Sequence, residues 1–469
     1  MNVWPLRFTD TNDGELLFTD YAGGYFRSTQ EFLDRYATGE LTTSDQNFLS
    51  DRGHAFEKVS DLSFIGFASR WSGRLNANKD INYIILVPTL RCNLSCDYCQ
   101  VSRVNENAKG FDWDDKTLSA VLRLLEGFGT KEIKVEFQGG EPLLRLNMLR
   151  EVRSFCRSHF ETAQFVVCTN LQTVSKDAWD FLSDEDTHIS TSLDGTFDVH
   201  QQQRTKDNTT TGTFRTNILK AIETKGVGNV SALPTIDPLS APEPKILIQT
   251  FADLGLHSIF LRPINYQGFA RKRYQFDQVN QFWSGYYRRF IDELIEYNAT
   301  ADEPFEEYYL THILRRIIQG GHNNHVDLRN PNWLGQDYLV VDFNGVLYPT
   351  DEARMITRIG QLDLSIGNVH SGLDLSKLDV LNSDASNFFD PDCMNCAYQP
   401  YCGVDHIDDL SRYGRVDIPR HLTDHCQKHM SLFDLAFELL YSGDPKVHNS
   451  LAAWLNIPGY SPHLTPVHL

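Results

Sequence analysis

Seven of the nine cysteines fall into two groups whose spacing is typical of metal sites. The first group reads C-x3-C-x2-C, and the second reads C-x2-C-x5-C followed by one more distant cysteine. The members are Cys92, Cys96 and Cys99 in the first group, and Cys393, Cys396, Cys402 and Cys426 in the second. The sequence shows no signal-peptide pattern, and in a reducing compartment such spacing indicates metal binding or catalysis rather than disulfides.

Three thiolates on one short loop can hold three corners of a [4Fe–4S] cube and leave the fourth iron open to a substrate. Zinc would need a fourth ligand, and the adjacent Asp97 would give a cramped tetrahedron. The first group therefore favours an iron–sulfur cluster, whereas the second group alone fits either a cluster or structural zinc. The two remaining cysteines, Cys156 and Cys168, are predicted to be small buried core residues.

An alternation of strand and helix patterns must position the first group. Six strand-like runs are separated by runs of helical periodicity, which predicts a parallel α/β sheet with right-handed crossovers. In such sheets the chemistry gathers at the carboxyl ends of the strands. The predicted strands cover 81–88, 132–140, 163–170, 188–195, 228–237 and 258–264. The strand ends carry, in order, the first cysteine group, Gly139–Pro142, Thr169–Asn170, and Ser192 with Asp194.

Composition excludes several other classes of protein. The 469 residues allow two or three domains, and no apolar run approaches the ~20 residues of a membrane span. The net charge of −19 is spread along the chain, which argues against a nucleic-acid partner. We therefore expect a cytoplasmic protein without a membrane or nucleic-acid partner.

The first cysteine group and the strand ends resemble the radical S-adenosylmethionine (SAM) superfamily over roughly residues 80–270. CNLSCDYC (92–99) is similar to its C-x3-C-x-aromatic-C signature, GGEP (139–142) to its GGE motif, and SLDG (192–195) to its ribose-contacting segment. The resemblance implies a partial (β/α)6 TIM-type barrel. It also implies a SAM-binding [4Fe–4S] cluster on the first cysteine group.

The same resemblance implies roles for single residues around SAM. The glycines and glutamate of GGEP would hold the methionine amine, Tyr98 would lie beside the adenine, and Arg204 would contact the carboxylate. For Arg204 a surface position is the alternative, and for Asn170 plain strand-end packing. The residues expected to bind SAM are Tyr98, Gly139, Gly140, Glu141, Asn170, Ser192, Asp194 and Arg204.

The second cysteine group resembles the SPASM or twitch domains of radical SAM maturases, which implies an auxiliary [4Fe–4S] cluster. A full SPASM domain has seven thiols for two clusters. This chain has Thr350 and His406 where two of them belong, and 329–336 contains no cysteine. We therefore expect one auxiliary cluster, and a hydrogen-bonded or solvated His406.

A finer resemblance concerns the substrate. LVPTLRCNLSCDYCQVSR (86–103) and YPTDEARM (348–355) look most like the radical SAM maturase of the His-Xaa-Ser peptide system. This implies a precursor peptide with His-x-Ser repeats and an electron donor such as flavodoxin or ferredoxin. Sulfatase-type maturases carry an acidic base at the hairpin that ends here at Thr350. Asp351 and Glu352 are therefore candidate catalytic bases, and a structural pair between Asp351 and Arg354 is the alternative.

Five segments are expected along the chain. Residues 1–78 form a small α+β module, whose strands and helix pair resemble winged-helix modules that bind a leader peptide by strand addition. Packing against the barrel is the alternative. The Ser28-x-x-Glu31 pattern predicts a capping box in this module. The other segments are the barrel (79–272), bridging helices (273–328), the auxiliary cluster domain (329–440), with a hairpin turn at Asn344-Gly345, and an irregular tail (441–469).

The predicted function is hydrogen abstraction from a precursor peptide, which gives an oxidative modification such as a cross-link. One alternative keeps the chemistry and takes a folded protein as substrate. Another is a zinc-stabilised peptide-docking protein without catalysis. The GGEP and SLDG segments count against the docking protein, because it has no use for a nucleoside pocket.

Overall fold

The computed structural model describes residues 1–11, 13–75, 80–272, 276–319, 325–457 and 467–469. The boundary expected between residues 78 and 79 lies outside these ranges, and the one after residue 272 borders a gap. Within the described ranges no helix is long and apolar enough to cross a membrane.

The N-terminal part contains a three-stranded antiparallel sheet and three helices. The sheet has the order β2-β3-β4, and β1 pairs separately with β5. The strands are β1 (Asn2–Val3), β2 (Arg7–Asp10), β3 (Leu16–Thr19), β4 (Tyr25–Ser28) and β5 (Ala55–Phe56). The helices are α1 (Gln30–Thr38), α2 (Thr43–Asp51) and α3 (Leu62–Arg74); α3 adds to the helix pair expected from sequence.

Five parallel strands form the main sheet of the barrel, in the order β12-β11-β10-β9-β6. Proline, which cannot donate to a ladder, separates β12 from the short β13 at Pro234. The strands of this region are β6 (Tyr83–Leu86), β7 (Arg91–Cys92), β8 (Val104–Asn105), β9 (Glu132–Phe137), β10 (Thr162–Cys168), β11 (Thr187–Ser192), β12 (Val230–Leu233), β13 (Thr235–Ile236), β14 (Ser258–Ile259) and β15 (Arg262–Pro263).

Helices between the strands cover the sheet, as the alternation in the sequence predicts. Several begin at a capping side chain; the carboxylate of Asp114, for example, accepts the N–H of Thr117 at 2.8 Å. The helices are α4 (Asp115–Glu126), α5 (Leu146–His159), α6 (Lys176–Leu182), α7 (Phe197–His200), α8 (Asn208–Lys225) and α9 (Pro244–Asp253). Each predicted strand corresponds to an observed strand or pair of strands at the expected place.

The C-terminal part is joined to the barrel by the same sheet. Strand β17 pairs in parallel with β6, and a hairpin at Asn344-Gly345 leads to β18, β19 and β20. Gly345 has a φ of +78°, which suits glycine and confirms the turn expected there. The strands are β16 (Glu306–Glu307), β17 (Leu339–Val341), β18 (Val346–Tyr348), β19 (Gly367–Asn368) and β20 (Gly372–Leu373).

The remaining helices pack around this extension and against the barrel. They are α10 (Phe276–Asn298), α11 (Tyr308–Ile318), α12 (Asp351–Arg358), α13 (Leu375–Leu381), α14 (Pro391–Met394), α15 (His406–Tyr413), α16 (Asp424–Leu440) and α17 (Pro445–Trp454). Helix α17 lies within the segment expected to be an irregular tail, and it buries Leu451 and Trp454. Residues 458–466 of that segment lie outside the described ranges, and His468 forms a β-bridge with Arg27.

Candidate active site

The carboxyl ends of the parallel strands enclose a cavity of about 240 Å³, and the three thiols of the first cysteine group line it. Glu141 and Asp194, two residues expected to bind a cofactor, are absent from its lining and are 1% and 0% exposed. The other six line the cavity: Tyr98, Gly139, Gly140, Asn170, Ser192 and Arg204. The fold thus gathers residues from four separate strand ends around the cysteine loop.

Gly139 and Gly140 are required by a close approach of two backbone segments. A Cβ atom on Gly140 would lie 2.1 Å from the carbonyl oxygen of Arg91, and one on Gly139 would lie 2.2 Å from that of Thr89. Gly139 also has a φ of +131°, which L side chains rarely adopt. The N–H of Gly140 donates to the carbonyl of Thr89 at 3.0 Å. The two glycines therefore allow the end of β9 to hold the segment that leads into Cys92.

The buried carboxylate of Glu141 ties neighbouring strand ends together. Its Oε1 accepts the N–H of Leu143 at 3.1 Å and the hydroxyl of Thr169 at 2.9 Å, and its Oε2 accepts the N–H of Asn170 at 2.8 Å. Burial raises the pKa of this carboxyl to about 7. In this structure Glu141 thus positions Asn170 and the turn after β9, and its contact with SAM stays a prediction.

Asn170 connects the end of β10 to the first cysteine group. Its Nδ2 donates to Asn93 Oδ1 at 2.8 Å and lies 3.6 Å from Cys92 Sγ. The N–H of Leu94 lies 3.5 Å from the same sulfur. Hydrogen bonds to cluster sulfurs are among the factors that set reduction potential. Asn170 therefore supports the cysteine loop directly, beyond plain strand-end packing.

Asp194 organises the opposite wall of the cavity. It accepts the hydroxyl of Tyr98 and the N–H of Thr235, the latter at 3.0 Å. Two donors of Arg204 also reach its carboxylate, Nε at 2.7 Å and Nη2 at 3.2 Å. The guanidinium of Arg204 lies 5.2 Å from the centre of the Tyr98 ring. Asp194 thus fixes the two side chains expected at the adenine and the carboxylate, and Arg204 is a half-buried cavity residue rather than a surface arginine.

The sequence analysis missed several cavity residues and one supporting glycine. Arg103, Thr235 and Arg262 line the cavity, and no described residue accepts a hydrogen bond from the Nε of Arg103 or of Arg262. A Cβ atom on Gly268 would lie 2.4 Å from the carbonyl oxygen of Cys99. Their signal was weak, because they lie in or after the last two predicted strands, or after the cysteine loop, outside any recognisable motif.

Another missed cavity residue is Cys168, for which the core prediction is wrong. Its thiol lines the cavity and donates to the carboxylate of Glu136 at 3.3 Å. It is the last residue of β10, where alternate side chains face the cavity. Cys156, by contrast, is 0% exposed within the main core, as predicted.

Burial disfavours the charged form of the Cys92 thiol in the first cysteine group. Burial raises the pKa of Cys92 to about 12, and Glu141, Cys96 and Cys99 add to the shift. In the described part of the chain, no three His, Cys, Asp or Glu side chains converge closely enough to share one metal ion. A four-iron cluster spreads its thiolates over separate irons, so this loop fits a cluster better than a single ion.

The second cysteine group lies beneath the N-terminal sheet. Burial raises the pKa of Cys402 to about 12, and Cys396 and Cys426 contribute, so these thiols lie near one another. Burial, Cys402 and Cys396 likewise raise the pKa of Cys393. A buried cation, Arg7, acts on Cys396 and donates to the carbonyl of Met394 at 2.7 Å. Four gathered thiols beside a cation suit an anionic metal–thiolate centre.

Thr350 and His406, which stand where a second auxiliary cluster would need ligands, make other contacts. The hydroxyl of Thr350 caps α12 by accepting the N–H of Ala353 at 3.0 Å. The ring Nε2 of His406 lies 2.6 Å from the carbonyl oxygen of Asp384. Beside them, α12 and α15 pack through an apolar cluster that includes Ile356 and Ile407.

Asp351 and Glu352 begin α12 and do not line the 240 Å³ cavity. Asp351 accepts the Nε of Arg354 at 2.8 Å, which is the structural alternative weighed from the sequence. Its charge nevertheless acts on Cys168 at the cavity wall. Burial, then Asp351 and Asp405, raise the pKa of Glu352 to about 8.

A larger cavity of about 950 Å³ adjoins the first one inside the barrel. The two share Glu136, Ser190 and Leu233 in their linings. This volume lies within the ~300–1,000 Å³ range of ligand sites in proteins. Its lining includes the amino ends of β11 and β12, such as Thr187 and Val230, and no residue of the first cysteine group, so this space lies on the side of the barrel away from the cysteine loop.

Comparison with known proteins gives the class of the barrel. Residues 86–238 match the model of the Radical SAM superfamily. An uncharacterised protein of Methanocaldococcus jannaschii is 31% identical over 117 residues, which make up 24% of this chain and 39% of that protein. The cysteine-type anaerobic sulfatase-maturating enzyme of Clostridium novyi is 26% identical over 133 residues, 27% of this chain and 36% of that enzyme. The chain thus spans less than half the length of these curated relatives.

The fold extends the likeness beyond the matched segment. A solved structure of anSMEcpe with bound AdoMet, another name for SAM, aligns with a TM-score of 0.61 at 18% identity. The alignment covers 82% of this chain and 99% of that one.

This chain therefore contains a radical SAM domain on a TIM-barrel-like α/β fold. The family implies SAM and a [4Fe–4S] cluster as cofactors. The residues present fit both groups: three gathered thiols, a Gly-Gly turn, and the pair formed by Tyr98 and Arg204 on Asp194.

Proposed function

We propose that this protein is a radical SAM maturase that modifies a ribosomally synthesised precursor peptide by oxidation, for example by forming a cross-link. The observation that carries the proposal is the 240 Å³ cavity, where the first cysteine group meets the ends of four strands. When bound, the cluster and SAM supply a 5′-deoxyadenosyl radical that abstracts a substrate hydrogen.

The residues of the chain have separate tasks in this proposal. Cys92, Cys96 and Cys99 ligate the SAM-binding cluster. Tyr98 and Arg204, both held by Asp194, orient the nucleoside and the carboxylate. Backbone groups of Gly139 and Gly140, with Glu141, Asn170 and Ser192, complete the binding site.

A peptide substrate is supported by a solved structure that shares the fold. In anSMEcpe the shared fold is seen with bound AdoMet and a peptide named Cp18Cys, at a TM-score of 0.59. The finer assignment, a precursor with His-x-Ser repeats, rests on the resemblance of residues 86–103 and 348–355 to the His-Xaa-Ser maturase.

The second cysteine group is assigned one auxiliary [4Fe–4S] cluster, ligated by Cys393, Cys396, Cys402 and Cys426. It would accept the electron that remains after hydrogen abstraction, so that the net reaction is an oxidation. A flavodoxin or ferredoxin of the cytoplasm would supply electrons to the SAM-binding cluster. The N-terminal module, a small winged-helix-like unit, would hold the precursor.

Asp351 and Glu352 are assigned the removal of a substrate proton after abstraction. Loss of that proton makes the substrate radical a better reductant. Glu352 suits this role better than Asp351, because its pKa of about 8 lies near working pH and Asp351 is paired with Arg354. In Asp351→Asn and Glu352→Gln proteins, 5′-deoxyadenosine should still form while peptide product falls roughly tenfold or more. Unchanged product in both variants would remove the base from the proposal.

Anaerobic reconstitution with iron and sulfide tests the function as a whole. The protein should turn brown and should cleave SAM to 5′-deoxyadenosine when dithionite is added. Mass spectrometry of co-expressed precursor peptides should then show loss of hydrogen. A colourless protein that binds zinc and leaves SAM intact would contradict the proposal and favour a docking protein.

A second candidate keeps the chemistry and changes the substrate to a segment of a folded protein. The observation in its favour is the match to the sulfatase-maturating enzyme of Clostridium novyi across the barrel. The two candidates differ in what they modify. Reconstituted enzyme that oxidises a sulfatase-derived peptide but no precursor peptide would support this candidate.

A further inference from the structure

A buried arginine of the N-terminal sheet faces the loop of the second cysteine group. Arg7 is the first residue of β2 and is 5% exposed. Its Nε donates to the carbonyl of Met394 at 2.7 Å, and its guanidinium lies 3.8 Å from the centre of the Tyr21 ring. Burial lowers the pKa of this guanidinium, and Tyr21 and Cys396 oppose the shift. The positive charge of Arg7 therefore acts on a thiol that is expected to bind a metal centre.

Further contacts hold the sheet against this loop. Thr19 lies directly opposite Arg7 on β3 and donates its hydroxyl to the carbonyl of Ala397 at 2.7 Å. The hydroxyl of Tyr401 donates to the carbonyl of Gly23 at 3.1 Å. Neither contact involves a charged group, so the sheet should stay in place when an uncharged residue of similar length replaces Arg7.

Arg7 lacks the partners that a buried guanidinium normally has. In the part of the chain that the structure describes, its Nη1 has no hydrogen-bond acceptor. Asp20 acts on Arg7 less strongly than Cys396 does, and the Asp20 carboxylate is bound to the His54 ring at 2.9 Å. Arg420, by contrast, lies within 3.5 Å of three aspartates. Because a buried charge without a partner is costly, the position of Arg7 favours an anion at the second cysteine group.

We propose that Arg7 raises the reduction potential of the second cysteine group when a cluster is bound there, and that the N-terminal module thereby completes the electron acceptor. The inference rests on the proposed function, which assigns an auxiliary [4Fe–4S] cluster to this group. In that function the substrate radical loses one electron and one proton, and the electron adds one negative charge to the auxiliary site. A fixed cation stabilises the added charge. Net charge and hydrogen bonds to sulfur are among the factors that set the potentials of such clusters.

Charges of both signs reach Cys396, and their order supports the role of Arg7. Arg7, from β2, acts on this thiol more strongly than Asp434, from α16, does. The Asp434 carboxylate also accepts the hydroxyl of Tyr398. The cation that favours electron uptake thus comes from a different part of the chain than the thiols. The acceptor is complete only while the N-terminal sheet contacts the cysteine loop.

The test measures the reduction potential of the auxiliary cluster alone. The full chain carries the Cys92/Cys96/Cys99 triple-alanine substitution, which removes the SAM-binding cluster, and EPR follows the reduced cluster during an anaerobic dithionite titration. At the midpoint potential of this parent protein, Arg7→Met should have a ratio of reduced to oxidised cluster roughly tenfold lower, a shift of ~59 mV for one electron. Arg7→Gln provides a second uncharged variant if methionine impairs folding.

Control variants separate the charge from the fold. Arg52→Met removes the same charge from an exposed position of the same module, where salt screens it, and should leave the ratio within roughly twofold of the parent. Arg7→Lys keeps the charge and loses the planar fork of donors, so the ratio should fall by roughly threefold or less.

Unchanged potentials in Arg7→Met and Arg7→Gln, or an Arg7→Lys potential as low as that of Arg7→Met, would overturn the proposal. A second cysteine group that takes up zinc or no iron would overturn both this proposal and the auxiliary cluster. With the first cysteine group intact, Arg7→Met should cleave SAM within roughly threefold of the unsubstituted enzyme. A potential that does not shift in iron-loaded protein is therefore distinguishable from failure of the proposed function.

Discussion

The two cysteine groups differ in what surrounds them. The first, on the loop after β6, has three thiols and opens on a cavity lined by hydrogen-bonding groups from several strand ends. The second has four thiols and lies under the N-terminal sheet, where Arg7 faces Cys396. A three-thiol site leaves a coordination position for a ligand, whereas four thiols complete a cluster. The surroundings agree with this division. Of the two groups, only the first lines the 240 Å³ cavity.

This difference shows that the chain surrounds its two cysteine groups with different kinds of side chains. Around the first group, buried carboxylates such as Asp194 and Glu141 fix the cavity wall, so the site is shaped for a molecule. Around the second group, side chains of both signs act on the thiols, with Arg7 and Asp434 near Cys396 and with Arg420 and Asp390 near Cys393. Substitutions near one cysteine group should therefore affect that group and spare the other.

Reciprocal cysteine substitutions should have the largest effect. Cys96→Ala should lower SAM cleavage roughly a hundredfold or more, because the cluster loses a corner beside the cavity. Cys396→Ala should leave SAM cleavage within roughly threefold of the unsubstituted enzyme while peptide product is lost.

Reconstituted enzyme should carry roughly eight irons per chain, and the Cys92/Cys96/Cys99 triple-alanine protein roughly four. An iron count near twelve per chain would contradict a single auxiliary cluster. Normal 5′-deoxyadenosine release from Cys96→Ala would contradict a SAM-binding cluster on the first cysteine group.

Asp194→Asn should weaken SAM binding beside the first cysteine group and leave the second cysteine group unaffected. The change leaves Arg204 buried without its carboxylate, and breaking a buried ion pair costs about 3–5 kcal/mol. SAM affinity, measured by equilibrium dialysis, should fall roughly tenfold or more because Tyr98 and Arg204 lose their common anchor. Asp198→Asn, at an exposed position on α7, is the matched control and should change neither quantity. An unchanged SAM affinity in Asp194→Asn would show that SAM binding does not need the Asp194 carboxylate.

Gly140→Ala tests the packing that holds the first cysteine loop. The added methyl would lie 2.1 Å from the Arg91 carbonyl oxygen, and relief of such a clash costs about 1–3 kcal/mol. The free energy of unfolding and SAM cleavage should therefore fall together. Gly212→Ala, within α8 and with open space around it, should instead be neutral or stabilise by about 0.5–1 kcal/mol. Equal effects of the two changes would contradict the close approach at Gly140.

Glu352→Gln should have the smallest effect on stability, a change in the pH dependence of the unfolding free energy, in addition to the loss of peptide product proposed above. Burial and Asp351 raise the pKa of Glu352 to about 8 from about 4.5. The folded protein keeps a proton that the unfolded chain releases in this range, so the unfolding free energy of the unsubstituted protein decreases as pH rises. Thermal scans from about pH 5 to about pH 8 should show the Tm of the variant gaining on the unsubstituted protein. A constant Tm difference would mean that Glu352 titrates normally.

Much of the barrel could be predicted because its signals are local. Strand-length apolar runs, helix periodicity and the glycine pair at 139–140 each depend on nearby residues, and the parallel sheet follows from their order. The cofactor wall was also largely predictable, because strand ends meet at one edge. Arg262 and Gly268 were missed because their importance comes from contacts across the barrel, with no motif around them.

One local prediction in the N-terminal part shows a limit of pattern reading. The capping box predicted at Ser28 and Glu31 is wrong, because Ser28 completes strand β4 and α1 begins after Thr29. A true capping box lies one helix later, between Thr42 and Asp45. Sheet pairing decided which hydroxyl was available to cap a helix.

The pairing of β17 with β6 has a consequence for how the protein is made. Residues 339–341 lie more than 250 residues after their partners 84–86, and a ribosome delivers them late. Until then one edge of the first barrel strand stays open, which is the condition that promotes wrong pairing and aggregation. We expect ribosome-bound chains stopped before residue 339 to depend on chaperones. Completion of the barrel sheet would then precede the arrival of the last four cysteines, so the second cysteine group would form on a barrel that is already closed.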